Sequence, residues 1–191
     1  MLSDELASRL ERDEQLTIGG LVDTLGEGSL ALLLMLLMIP SALPIPTGGV
    51  THVLELGAAI VAVQIIAARR EVWLPRRLRE HALGATFTGK LVPAFTRLVR
   101  WCERFSRRRL GGLVDQPVSR SLVGVILLLF VAAAFVAPPF TGLDTLPSLG
   151  AVVVCLGLVF SDVLVVAGGI VLGAGGIALE IVLASVAWSL L

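Results

Sequence analysis

Residues 138–147 read Pro-Pro-Phe-Thr-Gly-Leu-Asp-Thr-Leu-Pro, and residues 44–51 read Pro-Ile-Pro-Thr-Gly-Gly-Val-Thr. Both stretches contain the pattern P-x-x-T-G-x-x-T, at an offset of 94 residues, and an apolar run precedes and follows each copy. Closely spaced prolines interrupt a helix, because each one removes an amide donor and obstructs the preceding turn. The pattern therefore predicts an internal duplication in which each half is a helix, a break and a helix.

The composition indicates a membrane protein. Of the 191 residues, 56% are hydrophobic and 16% are charged, and the mean hydropathy is +0.93. Soluble domains are about 45–50% apolar and about 25% charged, so a disordered chain, a disulfide-rich secreted domain and an ordinary cytosolic enzyme are excluded. We predict an all-α polytopic integral membrane protein built from two related halves with Pro-broken helices. Its predicted segments are an amphipathic cytoplasmic N-terminal cap (1–27), a first membrane repeat (28–68), a basic linker of interfacial helices (69–120), a second membrane repeat (121–160) and Gly-rich C-terminal membrane helices (161–191).

The breaks have two possible arrangements. The first apolar run, 28–39, gives a helix of only about 18 Å, whereas the hydrocarbon core of a bilayer is about 30 Å thick. Each break is therefore either a short exposed loop between two spans or a re-entrant tip that protein or water covers inside the membrane. The two halves are either parallel or inverted, and we slightly favour inverted, because broken helices are common in such folds. The predicted helix-breaking residues are Pro40, Pro44, Pro46, Pro138 and Pro139.

The linker concentrates the positive charge. Residues 69–120 hold 13 of the 15 basic residues and only four acidic ones. Basic segments beside membrane spans stay cytoplasmic, so we place the linker and the N-terminus on the cytoplasmic face of a bacterial inner membrane. Within the linker, apolar positions recur at helical spacing, which predicts a basic amphipathic helix lying on anionic lipid. Nucleic-acid binding is disfavoured, because apolar runs flank the linker. The expected lipid-headgroup contacts are Arg69, Arg70, Trp73, Arg97, Arg100, Trp101 and Arg104.

Ionisable residues inside apolar segments are costly and are usually functional. His52 and Glu55 are three residues apart and share a helix face, so together they can carry a proton or bind a cation. An alternative places His52 and Asp144 in wet surface loops, where charge costs little. Glu180 is either interfacial or paired with another segment. The predicted path for an ion or small solute comprises Thr47, Gly48, Thr51, His52, Glu55, Thr141, Gly142, Asp144 and Thr145.

The C-terminal run is rich in glycine. Gly169 and Gly173 form a small-xxx-small pattern, which is typical of close helix packing in lipid. This packing lies either within the protein or between subunits, and we expect a homodimer. No nucleophile motif and no Cys/His cluster is present, so we expect no enzymatic activity, no cofactor and no metal.

The chain also resembles a known family. The fragments that carry the likeness are Leu43–Pro46, Ala68–Pro75 and Pro138–Pro147. They are similar to the ExoD family of bacterial exopolysaccharide synthesis proteins over nearly the whole chain. The resemblance implies a role in exopolysaccharide production, with the exopolysaccharide machinery as an expected partner, and it supplies no catalytic residues. We expect a small transporter or channel-like protein for an ion or small solute; the alternative is a non-transporting scaffold or regulator of a polysaccharide synthase.

Overall fold

The protein folds as a bundle of α-helices. The structure, a computed structural model, describes residues 29–43, 50–69, 73, 116–137 and 142–189, and these form helices and turns without any strand. The described helices are α1 (Ser29–Ala42), α2 (Val50–Ile66), α3 (Pro117–Val136), α4 (Thr145–Phe160) and α5 (Val163–Ser189). The all-α class predicted from the sequence is confirmed.

The helix ends follow the sequence repeat. α1 ends at Ala42 and α3 ends at Val136, which is 94 residues later. α2 ends at Ile66 and α4 ends at Phe160, again 94 residues later. The helix contacts follow the same correspondence. α1 packs on α2 and α4, and its equivalent, α3, packs on α4 and α2. The α1–α2 hairpin and the α3–α4 hairpin are therefore equivalent in position.

Both hairpins point in the same direction. The Ser121 Oγ, near the start of α3, donates a hydrogen bond to the Ile66 carbonyl at the end of α2 (2.7 Å). At the opposite end, the His52 ring near the start of α2 lies 5.2 Å from the Phe135 ring near the end of α3. We call the end where α1 stops and α2 starts the tip end, and the opposite end the base end. Both hairpin turns lie at the tip end.

In the described residues the two helix pairs point the same way, which differs from the slightly favoured inverted arrangement. The sequence of the linker, residues 69–120, agrees with this, because it contains no apolar run long enough to cross a membrane. A chain that leaves the first hairpin at the base end consequently enters the second hairpin from the base end as well.

α1 is the central helix. It is apolar on all sides, and 12 of its 14 residues are buried, as expected for a helix without a polar face. The prediction that Pro40 breaks this helix is wrong, because α1 continues to Ala42. In the last turn the proline removes only one helical hydrogen bond, and the Leu43 amide still donates to the Pro40 carbonyl (3.4 Å). The other predicted breaks, Pro44, Pro46, Pro138 and Pro139, lie outside the described residues.

The glycines of α5 allow close helix packing inside the chain. A Cβ atom on Gly150 of α4 would lie 2.4 Å from the Gly173 Cα, and one on Gly169 would lie 2.6 Å from the Val154 amide nitrogen. Gly173 also faces Phe130 of α3. Gly169 and Gly173 are thus packed against α4 and α3, so the face expected to form a homodimer is already occupied within one chain.

The last apolar region divides where the sequence suggests. Ser161 adopts the left-handed conformation (φ +51°) after α4, and the Asp162 Oδ1 accepts a hydrogen bond from the Leu164 amide (3.0 Å) in the first turn of α5. α5 then runs for 27 residues without interruption. The predicted C-terminal helices are therefore one helix, with its glycines inside it.

Two of the described helices are long and apolar enough to cross a membrane: Pro117–Val136, which is α3, and Val163–Val186 of α5. α1, α2 and α4 are shorter apolar helices of 14, 17 and 16 residues. Beyond Glu180, α5 extends past its packing partners. Its exposed apolar side chains there are Ile181, Val182, Leu183, Val186 and Trp188.

Candidate functional site

A fully buried carboxylate lies at the tip end. Glu55, in the second turn of α2, is 0% exposed. The Ser41 Oγ donates a hydrogen bond to the Glu55 Oε1 (2.8 Å), and the His52 Nδ1 lies 2.9 Å from the Glu55 Oε2. A buried carboxylate is stable only when its oxygens are hydrogen-bonded or paired. Each oxygen of Glu55 has such a partner, one from α1 and one from α2.

His52 connects this carboxylate to the surface of the bundle. Its side chain is 36% exposed, whereas that of Glu55 is 0% exposed. Its ring packs at a tilted angle of 53° against Phe135 of the second hairpin. His52 therefore lies between the buried Glu55 and the outside of the bundle.

The second hairpin adds an acidic side chain to the same end. Asp144 precedes α4 in a turn that Gly142 begins with φ +69°, a conformation that glycine adopts without strain. Asp144 lies near enough to Glu55 and His52 for its charge to interact with theirs. The two hairpin tips therefore lie close enough for their charged groups to interact.

Glu180 of α5 completes the acidic group. Its carboxylate interacts electrostatically with that of Asp144. The positions 169, 173, 176 and 180 are successively four, three and four residues apart. Glu180 therefore lies on the same face of α5 as the three glycines, which is the face that packs on α4. Glu180 therefore lies beside α4, but two carboxylates do not form the pairing that one of the alternatives expected.

Three buried oxygen atoms at the tip end have no hydrogen-bond partner among the described residues: Thr145 Oγ1, Ser148 Oγ and Glu180 Oε1. Ser148 is 0% exposed. Buried polar atoms are almost always hydrogen-bonded, and exceptions need an explanation. All three of these atoms lie at the tip end.

We define the tip cluster as Ser41, His52, Glu55, Asp144, Thr145, Ser148 and Glu180. It contains three carboxyl groups and one imidazole, and none of its members is a lysine or arginine. The described arginines, Arg69 and Arg120, belong to the base end. Within the described residues, no group of three or more His, Cys, Asp or Glu side chains is placed to hold a metal ion. The excess of acidic groups favours a proton or another cation over an anion.

The structure brings together most of the predicted path residues that it describes. Thr51, His52, Glu55, Gly142, Asp144 and Thr145 all lie at the tip end, and Thr51 is buried. Thr47, Gly48 and Thr141 lie outside the described residues. His52 sits within α2 and contacts Glu55, so the surface-loop alternative does not describe it.

Three residues of this end were not predicted from the sequence. Ser41 is 14 residues from Glu55, and only the closed hairpin joins them. Phe135 contacts His52 across the two halves. Ser148 follows Thr145 by three residues and shares its helix face. This spacing in the sequence could have identified Ser148.

Of the predicted lipid-headgroup contacts, the structure describes Arg69 and Trp73, both exposed at the base end. The Trp73 amide donates a hydrogen bond to the Gln64 Oε1 of α2 (2.6 Å). Arg70, Arg97, Arg100, Trp101 and Arg104 lie outside the described residues.

The described residues form an all-helical bundle that has two helices long and apolar enough to cross a membrane and a buried carboxylate at the tip end. The chain belongs to the family described as "Exopolysaccharide synthesis, ExoD", whose model matches residues 2–182. This membership implies involvement in exopolysaccharide synthesis.

Two relatives are similar over most of the chain. Protein ExoD of Rhizobium meliloti (strain 1021) is 31% identical over 180 residues, which cover 88% of this chain and 71% of that protein. An uncharacterized protein of Synechocystis sp. is 25% identical over 140 residues, which cover 73% of this chain and 65% of that protein. No solved structure matches the chain.

Proposed function

We propose that this protein is a small polytopic transporter or channel-like protein of the bacterial inner membrane, which moves protons or a small cation in support of exopolysaccharide synthesis. One observation carries the proposal: a completely buried carboxylate, Glu55, lies where two parallel hairpin tips meet, with an imidazole and a hydroxyl bonded to it. Burying an ionisable side chain among apolar helices costs free energy. Its presence there is therefore better explained by a function than by a contribution to stability.

The length of α5 supports a position of the tips inside the membrane. Glu180 lies at the level of the tip cluster, and α5 continues for nine further residues to Ser189, which is about 14 Å. Its apolar side chains in this stretch are exposed, and such a helix is stable in hydrocarbon but not in water. The membrane therefore extends beyond the tips, and the hairpins are re-entrant.

Three of the four hairpin helices are short for a full crossing, whereas α3, with 20 residues, is long enough for one. α1, α2 and α4 have 14 to 17 residues and span about 21–26 Å, which is less than the hydrocarbon thickness of about 30 Å. Non-helical turns at membrane depth are tolerated where they line a cavity or are covered by protein. Paired broken helices in two halves are a common feature of transporter sites.

The pair of His52 and Glu55 provides the chemistry for proton transfer. The 2.9 Å contact lets a proton pass between the ring and the carboxylate without either group moving far. This transfer requires neither a nucleophile nor a cofactor, and we propose no enzymatic activity.

The base end is proposed to face the cytoplasm. Arg69, Trp73 and Arg120 lie there, and the chain between them is the basic linker. Basic residues beside membrane segments favour the cytoplasmic side, with membrane lipids as the partner of the linker. We keep the homodimer as a proposal, formed through a surface other than the Gly169–Gly173 face, and the exopolysaccharide machinery as a further partner.

Proton flux into vesicles tests the proposal. The purified chain is reconstituted in liposomes, a potassium diffusion potential is imposed with valinomycin, and a trapped pH-sensitive dye is followed. Flux should exceed that of protein-free vesicles and should fall at least about tenfold in Glu55→Gln, because the neutral amide keeps the hydrogen bonds but cannot carry the proton. Glu103→Gln, in the linker, is the matched control and should leave the flux unchanged.

Two outcomes would contradict the proposal. Wild-type flux equal to that of empty vesicles would favour a scaffold or regulator of a polysaccharide synthase. Equal flux through the wild type and Glu55→Gln would remove Glu55 from the path.

A further inference from the structure

We propose that Phe135 of the second hairpin is a positioning residue, which holds the His52 ring of the first hairpin in contact with Glu55. The link between the buried carboxylate and the outside of the bundle then depends on how the two hairpins meet. The inference deepens the proposed function and rests on it, since it assigns a regulatory contact to the same site. Its basis is a series of four side chains that contact one another across the tip end.

The series begins in α1 and ends in α3. The Ser41 Oγ of α1 donates a hydrogen bond to the Glu55 Oε1 (2.8 Å). The other oxygen of this carboxylate, Oε2, lies 2.9 Å from the His52 Nδ1. The His52 ring in turn packs on the Phe135 ring, with 5.2 Å between the two centroids. Both oxygens of Glu55 are therefore held within the first hairpin, and the imidazole is held by the second.

The two ends of the series occupy equivalent positions in the two halves. Ser41 and Phe135 are 94 residues apart, and each is the penultimate residue of its helix, α1 and α3 respectively. Because α2 packs on both of these helices, the same position of the repeat contacts the His52–Glu55 pair from each of them. The serine bonds to the carboxylate, and the aromatic ring packs on the imidazole.

Exposure increases along the series. Ser41 and Glu55 are buried, whereas the His52 side chain is 36% exposed and Phe135 is 44% exposed. A side chain with this much open surface has room to adopt another rotamer unless a neighbour restrains it. Phe135 contacts His52 at this open end, where such a restraint is needed.

The geometry of the two rings is that of an attractive aromatic pair. Their centroid separation of 5.2 Å and interplanar angle of 53° lie within the range of tilted pairs, about 4.5–7 Å between centroids. The attraction in such pairs shifts an equilibrium between a held and a released ring by about two- to tenfold. A leucine in place of Phe135 keeps apolar bulk but loses this attraction.

The contact also joins the two hairpins. Ser41, His52 and Glu55 all belong to the first hairpin, so they move together when one hairpin shifts against the other. Phe135 is the member of the series that moves with the second hairpin. Sliding of packed helices is a common form of conformational change, and here it would separate Phe135 from His52 while leaving the bond between Ser41 and Glu55 in place.

Chemical modification of His52 in the purified full chain tests this role. In a His81→Gln parent, His52 is the single imidazole, and its reaction with diethyl pyrocarbonate is followed by ultraviolet absorbance. Phe135→Leu should raise the reaction rate about two- to tenfold, because the released ring is more accessible. Phe135→Tyr keeps an aromatic ring and should react at the rate of the parent.

Two controls separate positioning from general effects of substitution. Leu122→Ala removes an exposed side chain from the base end of the same helix and should leave the His52 rate unchanged. Cys155 of α4 is completely buried, and with Cys102 replaced by serine it is the single thiol. Its reaction with a maleimide should be equally slow in the parent and in Phe135→Leu, because the bundle itself has not loosened.

Three results would overturn the positioning role. They are an unchanged His52 rate in Phe135→Leu, the same rise in Phe135→Tyr, and a parallel rise in the reaction of Cys155. Proton flux separates this inference from the proposed function: flux should fall in Phe135→Leu and persist in Phe135→Tyr. A raised His52 rate in Phe135→Leu with no flux in the wild type would overturn only the proposed function. Full flux in Phe135→Leu despite a raised His52 rate would overturn the regulatory contact.

Discussion

The two hairpins have the same helix ends and different chemistry. The equivalent positions, 94 residues apart, pair Ser41 with Phe135, His52 with Leu146, and Glu55 with Leu149. The hydrogen-bonded group of the first hairpin is thus replaced by apolar side chains in the second. Conversely, Asp144 and Ser148 of the second hairpin correspond to Val50 and Leu54 of the first. Of the tip-cluster residues, Thr145 is the one that has the same residue, Thr51, at its equivalent position.

This difference separates packing from function. The parallel arrangement of two hairpins requires matched helix ends and close contacts, and both halves provide them. The ionisable groups need no symmetry, because a site at the junction of the tips can draw on either half. One half supplies a carboxylate whose two oxygens are both partnered, and the other supplies oxygens that lack partners.

The largest effect is expected from disturbing the packing of α5. Among the described helices, α5 packs mainly on α4 of the second hairpin. Gly150→Ala places a Cβ atom 2.4 Å from the Gly173 Cα, a contact with backbone that cannot move away easily. We expect a loss of about 3 kcal/mol of unfolding free energy, the upper range for overpacking, measured by thermal unfolding in detergent.

A matched glycine provides the control for this prediction. Gly168→Ala has no atom within 4 Å of the new Cβ and should be neutral or stabilising by about 0.5–1 kcal/mol, because alanine favours a helix. Equal destabilisation of both variants would show that α5 does not pack closely on α4.

A smaller effect is expected from removing one partner of Glu55. Ser41→Ala leaves the Glu55 Oε1 buried without its donor and should cost about 1–3 kcal/mol. Adding Glu55→Leu, which copies Leu149 of the second hairpin, should recover most of this loss, because the buried charge is gone. Chemical unfolding of the single and double variants measures both steps. A double variant no more stable than Ser41→Ala would show that the first hairpin does not tolerate a leucine at position 55, where the second hairpin has Leu149.

Much of the fold could be predicted from the sequence, because it depends on local features. Apolar run lengths and the proline repeat predicted the helical hairpins, and the Ser161–Asp162 turn separated α4 from α5. Pro40 was misjudged because a proline in the last turn of a helix removes a single hydrogen bond. The direction of the second hairpin was misjudged because it depends on the number of crossings in the linker.

The site could be predicted only where neighbouring residues form it. The contact between His52 and Glu55 follows from their three-residue spacing on one helix. The Ser41 bond follows from hairpin closure, and the position of Glu180 follows from the close approach of α5 at Gly176. Both are consequences of packing between segments far apart in the chain, which no local pattern encodes.

The depth of the two tips in a bilayer tests the central claim most directly. In a background with Cys102 replaced by serine and Cys155 by alanine, spin labels are attached at Leu43→Cys and Val136→Cys. Both parent side chains are exposed, at the ends of α1 and α3. Collision with oxygen and with a water-soluble nickel complex then reports the depth of each label, and Arg69→Cys provides the base-end reference. We predict that both tip labels lie at the same depth within the hydrocarbon, accessible to oxygen and shielded from nickel. Labels at opposite membrane faces, or both freely accessible to nickel, would contradict two parallel re-entrant hairpins that meet around Glu55.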